Sequence, residues 1–233
     1  GLGDVYKRQQ TMYPNESSLL EQTRAAVETI RAHRSDGRVT SLVIGALGRC
    51  GRGAIDCLEK SGFKADEIVR WDIQETTAKS GPYQEIANSD LFINCIYLSK
   101  KIPPFINRDL LAAAGSQRRL GMIVDVSCDT TNPNNPIPVY SVNTTFEKPT
   151  VRVDGVDNLE VISIDHLPTL LPRESSEAFS HDLLPSLLQL PLIQGDDGPD
   201  ALAQDHAEGE GAVWARAEKL FRHHLAEAEK NGA

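Results

Sequence analysis

Two hydrophobic rhythms alternate along the chain. Over residues 16–34 (ESSLLEQTRAAVETIRAHR), Leu19, Leu20, Thr23, Ala26, Val27 and Ile30 recur at helical spacing behind Asn15, which predicts an amphipathic helix with an asparagine N-cap. A polar turn, Ser35-Asp36-Gly37, leads into 40–47 (TSLVIGAL), a short apolar run of the kind needed by a sheet covered on both faces. The alternation repeats: a helix over 54–60, strands over 67–72 (EIVRWD) and 90–97 (DLFINCIY), a helix over 108–114, and strands over 122–126 (MIVDV) and 159–164 (LEVISI). Strands alternating with helices predict an α/β fold, a Rossmann-type doubly wound parallel sheet.

Past Asp129 the pattern breaks, because 130–138 (TTNPNNPIP) holds three prolines and three asparagines and suits an ordered loop. A helix is expected over 176–190, interrupted by Pro185, then a flexible acidic, glycine-rich insertion over 195–211, and a closing helix over 212–230.

Composition narrows the partners. The chain has 233 residues with 24 Lys+Arg against 33 Asp+Glu, a net charge of −9, which disfavours nucleic acid. No run approaches the ~20 apolar residues of a membrane span, and 1–10 (GLGDVYKRQQ) has no apolar core of a secretory signal, so no membrane partner and a cytoplasmic location are expected. Four cysteines without a C-x-x-C pair argue for reduced thiols and against zinc. The six histidines show no metal spacing, and His223 and His224, adjacent on a helix, are expected to point apart; no metal is expected.

The densest chemistry lies in 43–53 (VIGALGRCGRG). Glycines between a buried strand and a helix permit a tight turn and let a pyrophosphate approach the helix N-terminus, where free amides and the dipole favour anions. The spacing is G-x-x-G-x-x-G rather than G-x-G-x-x-G, so the turn alone is a weak signal. Asp72 closes the next strand about 20 residues on, where a carboxylate bonds the ribose hydroxyls of NAD and repels a 2′-phosphate; the competing reading is a capping aspartate. The same carboxyl edge collects 48–51, 72–76, 95–97 and 126–129. Cys50 and Cys95 fall there together, either as two reduced thiols or as a disulfide beside the cofactor. Asp165 and His166 end a strand, as pocket lining or as a turn with a structural histidine. Ser180-His181-Asp182 is no triad, since neighbours in sequence do not converge as a triad requires.

Taken in order, VIGALGRCGRGAID, WDIQET, DLFINCIYLSK, DVSCDTTNPNNPIP and ISIDHLPTLLPRESSEAFSHDLLPSL resemble the C-terminal half of the fungal saccharopine dehydrogenases (NAD, L-lysine-forming), within the alanine dehydrogenase and transhydrogenase-like superfamily. The likeness implies oxidative deamination of saccharopine to L-lysine and 2-oxoglutarate with NAD. Carried over by position, Gly48, Arg49, Asp72, Thr76, Tyr97, Val126, Ile164, Asp165, His166 and Leu167 line the NAD site, and Ser127, Cys128 and Asp129 contact substrate. Cys128 stands where the family often has alanine, which puts a side-chain contact in doubt. Cys50 and Cys95 match a pair that forms a disulfide in the family.

The family's catalytic lysine and histidine lie upstream of the matched stretch, so no catalytic residue is expected in this chain, which reads as a fragment with the cofactor half. Residues 1–12 are expected to be a non-native leader, 13–167 the cofactor domain, and 168–233 a helical segment packed on another domain of a monomeric enzyme. The cofactor domain of an alanine dehydrogenase-like enzyme and a non-catalytic nucleotide-binding module are the alternatives.

Overall fold

A computed structural model describes residues 10–128, 130–190 and 212–230. The chain divides into two compact units, one ending at Leu171 and one starting at Pro172. In the first, helix α1 (Glu16–His33) leads to β1 (Ser41–Ile44), α2 (Arg49–Lys60), β2 (Ile68–Trp71), α3 (Ile73–Ala78), α4 (Gln84–Ala87), β3 (Leu91–Asn94), α5 (Arg108–Ala114), β4 (Met122–Asp125), β5 (Val151–Arg152) and β6 (Glu160–Ile162). The strands form one sheet in the order β2-β1-β3-β4-β6-β5. All pairs are parallel except β5 on β6. The doubly wound sheet expected from the alternating pattern is therefore present, with an antiparallel edge that a two-residue strand leaves invisible in sequence.

Alternation along β1 splits the core into two layers. Leu42 and Ile44 join Phe92, Ile106, Leu111 and Ile123 on one face. Val43 joins Ile93 with Val27 of α1 and Leu58 of α2 on the other. Asn15 caps α1 as expected, its Oδ1 accepting from the Ser18 amide at 2.9 Å.

Two helix boundaries differ from expectation. α2 starts at Arg49 rather than 54, because Gly51 and Gly53 belong to the helix and not to the turn. In the second unit α6 spans Pro172–Leu187 and runs through Pro185 without a break. That proline removes only the bond to the carbonyl of His181, a solvent-exposed residue near the helix end. α7 spans Ala212–Lys230. On it His223 and His224 do not diverge: His223 Nε2 lies 3.6 Å and His224 Nδ1 3.1 Å from the Glu227 carboxylate, because side chains three and four residues apart share a helix face. No helix among the described residues is long and apolar enough to cross a membrane.

The insertion expected over 195–211 lies outside the described residues, as do 1–9 of the expected leader. Gln10 and Tyr13 donate their amides to the carbonyls of Phe146 and Leu170.

Candidate functional site

The carboxyl ends of β1 and β2 meet at the glycine turn. Gly45 leaves β1 with φ +90°, a conformation that favours glycine, and an added Cβ would stand 3.1 Å from the Cys95 carbonyl. Gly48 is the N-cap of α2 and has no side chain to cap it, so the first amides of a twelve-residue helix keep no side-chain partner there. Gly51 packs this helix start onto the turn: a Cβ would lie 2.0 Å from the Gly45 oxygen. Close helix-strand packing with an uncapped N-terminus is the arrangement a pyrophosphate needs, and Arg49 opens that helix.

Asp72 does two things at once. It N-caps α3, its Oδ1 accepting from the Ile73 amide at 2.9 Å, in a capping box with Glu75. Its Oδ2 accepts from the Leu47 amide of the glycine turn, also at 2.9 Å. The carboxylate thus caps a helix and ties the glycine turn to the end of β2, while staying only half-buried. Thr76 is on the same helix, its hydroxyl donating to the Asp72 carbonyl at 2.9 Å.

The far side of the edge holds the other expected residues. Tyr97 follows β3 and is 69% exposed. Val126, Ser127 and Cys128 follow β4, with Cys128 at φ +51° and its thiol on the Asp125 carbonyl. Ile164 is buried beyond β6, Asp165 and His166 are exposed, and Leu167 opens a 3-10 turn. The His166 ring packs edge-on against Phe146. Asp129 lies outside the described residues.

Sequence reasoning missed the polar layer beneath. Asp125 and Asn94 end β4 and β3 opposite one another and are fully buried. Tyr140 and Ser163 reach the same carboxylate region from the loop before β5 and from the end of β6. The available signal was a lone polar residue inside each of two apolar runs, Asn94 in DLFINCIY and Asp125 in MIVDV.

Cys50 and Cys95 are free thiols at this edge, Cys50 exposed and Cys95 half-buried. Burial first, then the nearby Cys50 and Asp125, push the Cys95 thiol up to about 12. At pH 8 it stays protonated, and iodoacetamide is expected to label it at least ~10-fold more slowly than Cys50. Mass mapping of a timed reaction checks this; equal rates would refute the assigned environment.

Comparison with known proteins gives a consistent neighbourhood. No family model matches the chain. The saccharopine dehydrogenase [NAD(+), L-lysine-forming] of Candida albicans is 51% identical over 222 residues, covering 94% of this chain and 53% of that protein. The enzyme of the same description from Yarrowia lipolytica is 54% identical over 219 residues, covering 91% and 53%. The chain thus spans about half the length of the curated relatives it matches. A probable 2-hydroxyacid dehydrogenase from Rhizobium etli, solved with NADP, aligns at TM-score 0.33 and 14% identity over 72% of this chain and 66% of that one, a likeness too slight to carry an argument.

Proposed function

We propose that this chain, which belongs to the fungal saccharopine dehydrogenase family, holds NAD across the carboxyl edge of its sheet. It would form the cofactor half of an enzyme converting saccharopine and water to L-lysine and 2-oxoglutarate. The observation that carries the reading is the uncapped start of α2, packed through Gly51 onto the turn and tied to Asp72. Dinucleotides lie outside the carboxyl ends of the strands where strand order reverses, here between β1 and β3.

In this reading the first amides of α2 and the Arg49 side chain hold the pyrophosphate, and Asp72 accepts from the adenosine ribose hydroxyls. Bound there, NAD would supply the hydride acceptor for the carbon bearing the substrate's secondary amine. Val126 and the 164–167 segment line the redox half, and Ser127 and Cys128 face substrate. The acid and base acting on the amine would come from the part of the relatives that this chain does not span.

Residues 13–167 serve as the cofactor domain in this reading. The later segment rests on that other part, a role supported by the exposed Phe179, Leu184, Phe221 and Leu225.

Asp72→Ala tests the cofactor assignment. The parent is expected to bind NAD in preference to NADP by calorimetry. The variant loses about 10-fold or more in NAD affinity together with the discrimination, and the lost cap costs about 1 kcal/mol of stability. Unchanged discrimination in a folded variant would sink the ribose role.

A further inference from the structure

A buried charge without a counter-charge is costly and is retained where it organises something. Asp125 is such a charge: it is fully buried, and among the described residues no Lys, Arg or His forms an ion pair with it. Its oxygens are met by neutral donors instead. Oδ1 accepts from Asn94 Nδ2 at 3.0 Å, the Ser127 amide at 3.1 Å and Ser127 Oγ at 2.6 Å. Oδ2 accepts from Tyr140 Oη at 2.6 Å. Burial and then the Asp125 charge push the Tyr140 phenol up, which keeps it a donor.

Each donor leads to a different strand end. Asn94 also donates to the Ile96 carbonyl and accepts from its amide, fixing the segment that carries Tyr97. Ser127 fixes the turn that brings Cys128 to positive φ. Tyr140 shares a 3.0 Å hydrogen bond with Ser163 Oγ, next to Ile164, and the Ser163 amide is held by Thr144 Oγ1 at 2.9 Å. The β2 side of the edge is organised separately, by Asp72 on Leu47 and Ile73. A dinucleotide with its adenosine ribose at Asp72 and its pyrophosphate on α2 extends its redox half over β3 and β4, on the other side of the reversal.

We propose that Asp125 is the positioning residue for the redox half of the nucleotide site. Through Asn94, Ser127 and the Tyr140–Ser163 pair it holds the segments after β3, β4 and β6 in one arrangement, independently of the adenosine half. The proposal rests on the NAD reading above and adds a division of labour between two carboxylates.

The test titrates the whole chain by calorimetry with NADH and with ADP-ribose, which lacks the nicotinamide, at a temperature where circular dichroism shows each variant folded. In Asp125→Ala, NADH affinity falls about 10-fold or more while ADP-ribose affinity stays within about twofold. Asp125→Asn, which keeps an acceptor oxygen, recovers most of the loss. Tyr140→Phe removes one hydroxyl, keeps the ring packing and gives an intermediate loss for NADH alone, so the inference stays testable should the alanine variant fail to fold.

Equal weakening of both ligands, or unchanged NADH affinity in the folded variants, overturns the positioning role. Equal affinity of the parent for the two ligands overturns it as well, with the cofactor reading left standing. A parent that binds neither ligand overturns both.

Discussion

Gly51→Ala is expected to abolish measurable NAD binding and to lower the melting temperature of the first unit. The added Cβ would sit 2.0 Å from the Gly45 oxygen, 2.7 Å from its carbonyl carbon and 2.8 Å from Ala46 Cα, all of them backbone atoms with no flexible end to swing away. Gly45 is itself closely approached across the turn, where an added Cβ would already stand 3.0 Å from Ile96 and 3.1 Å from the Cys95 carbonyl. The helix start must therefore move off the strand, carrying its amides away from the position proposed above for the pyrophosphate. Overpacking of this kind costs about 1–3 kcal/mol or more, and an affinity loss of at least ~100-fold follows if the phosphate contacts go with it.

Gly53→Ala is the matched control. It lies in the same helix with nothing within 4 Å of its added Cβ, so it is expected to keep NAD binding and to gain roughly 0.5–1 kcal/mol. Calorimetric titration and thermal melts of the two variants decide the matter. Parent-like affinity in Gly51→Ala would remove the turn from the phosphate site.

The same glycines show what a linear reading yields. That a glycine-rich turn joins a buried strand to a helix was legible, and so was the carboxylate about 20 residues later. Where turn becomes helix was not, because glycine is used in 48–53 both for conformation and for close approach, and only the packed structure separates Gly51 from Gly48. From sequence alone Asp72 is open to two readings, ribose partner or helix cap. The structure shows the cap and adds the Leu47 amide, a contact between backbone and side chain 25 residues apart. Asp125 stands out in sequence only as the polar residue within the apolar run 122–126, and that it closes the strand is a finding of the structure. Its reach to Tyr140 and, through it, to Ser163 depends on how a proline-rich loop returns over the sheet, which hydrophobic periodicity does not encode. His223 and His224 are expected to point apart as helix neighbours, yet both rings turn to the carboxylate of Glu227, four and three positions on, a contact that adjacency in sequence does not reveal.

Arg31→Met is expected to destabilise the first unit by about 3–5 kcal/mol, or about 10 °C in melting temperature, without weakening NAD binding where the variant is folded. Arg31 of α1 grips Glu67, just ahead of β2, through two hydrogen bonds of 2.7 and 3.1 Å, and Glu67 is fully buried. This pair sits at the amino end of the strand, opposite the edge that carries the glycine turn. Burial alone would raise the Glu67 carboxyl. The Arg31 guanidinium and the Lys64 and Val39 amides outweigh it and hold the carboxyl below its ordinary value.

Removing Arg31 leaves that burial penalty exposed, whereas Arg31→Met combined with Glu67→Leu removes both charges and is expected to recover most of the loss. The depressed folded-state value also fixes the pH window. Glu67's contribution is complete above the unfolded-state value near 4.5 and disappears as pH falls through the lower folded value. Melts of parent and Arg31→Met between pH 3 and 7 should therefore differ most near neutrality and converge toward acid. A gap that is constant with pH would show that Arg31 stabilises the unit through packing of its alkyl chain rather than through the carboxylate it holds.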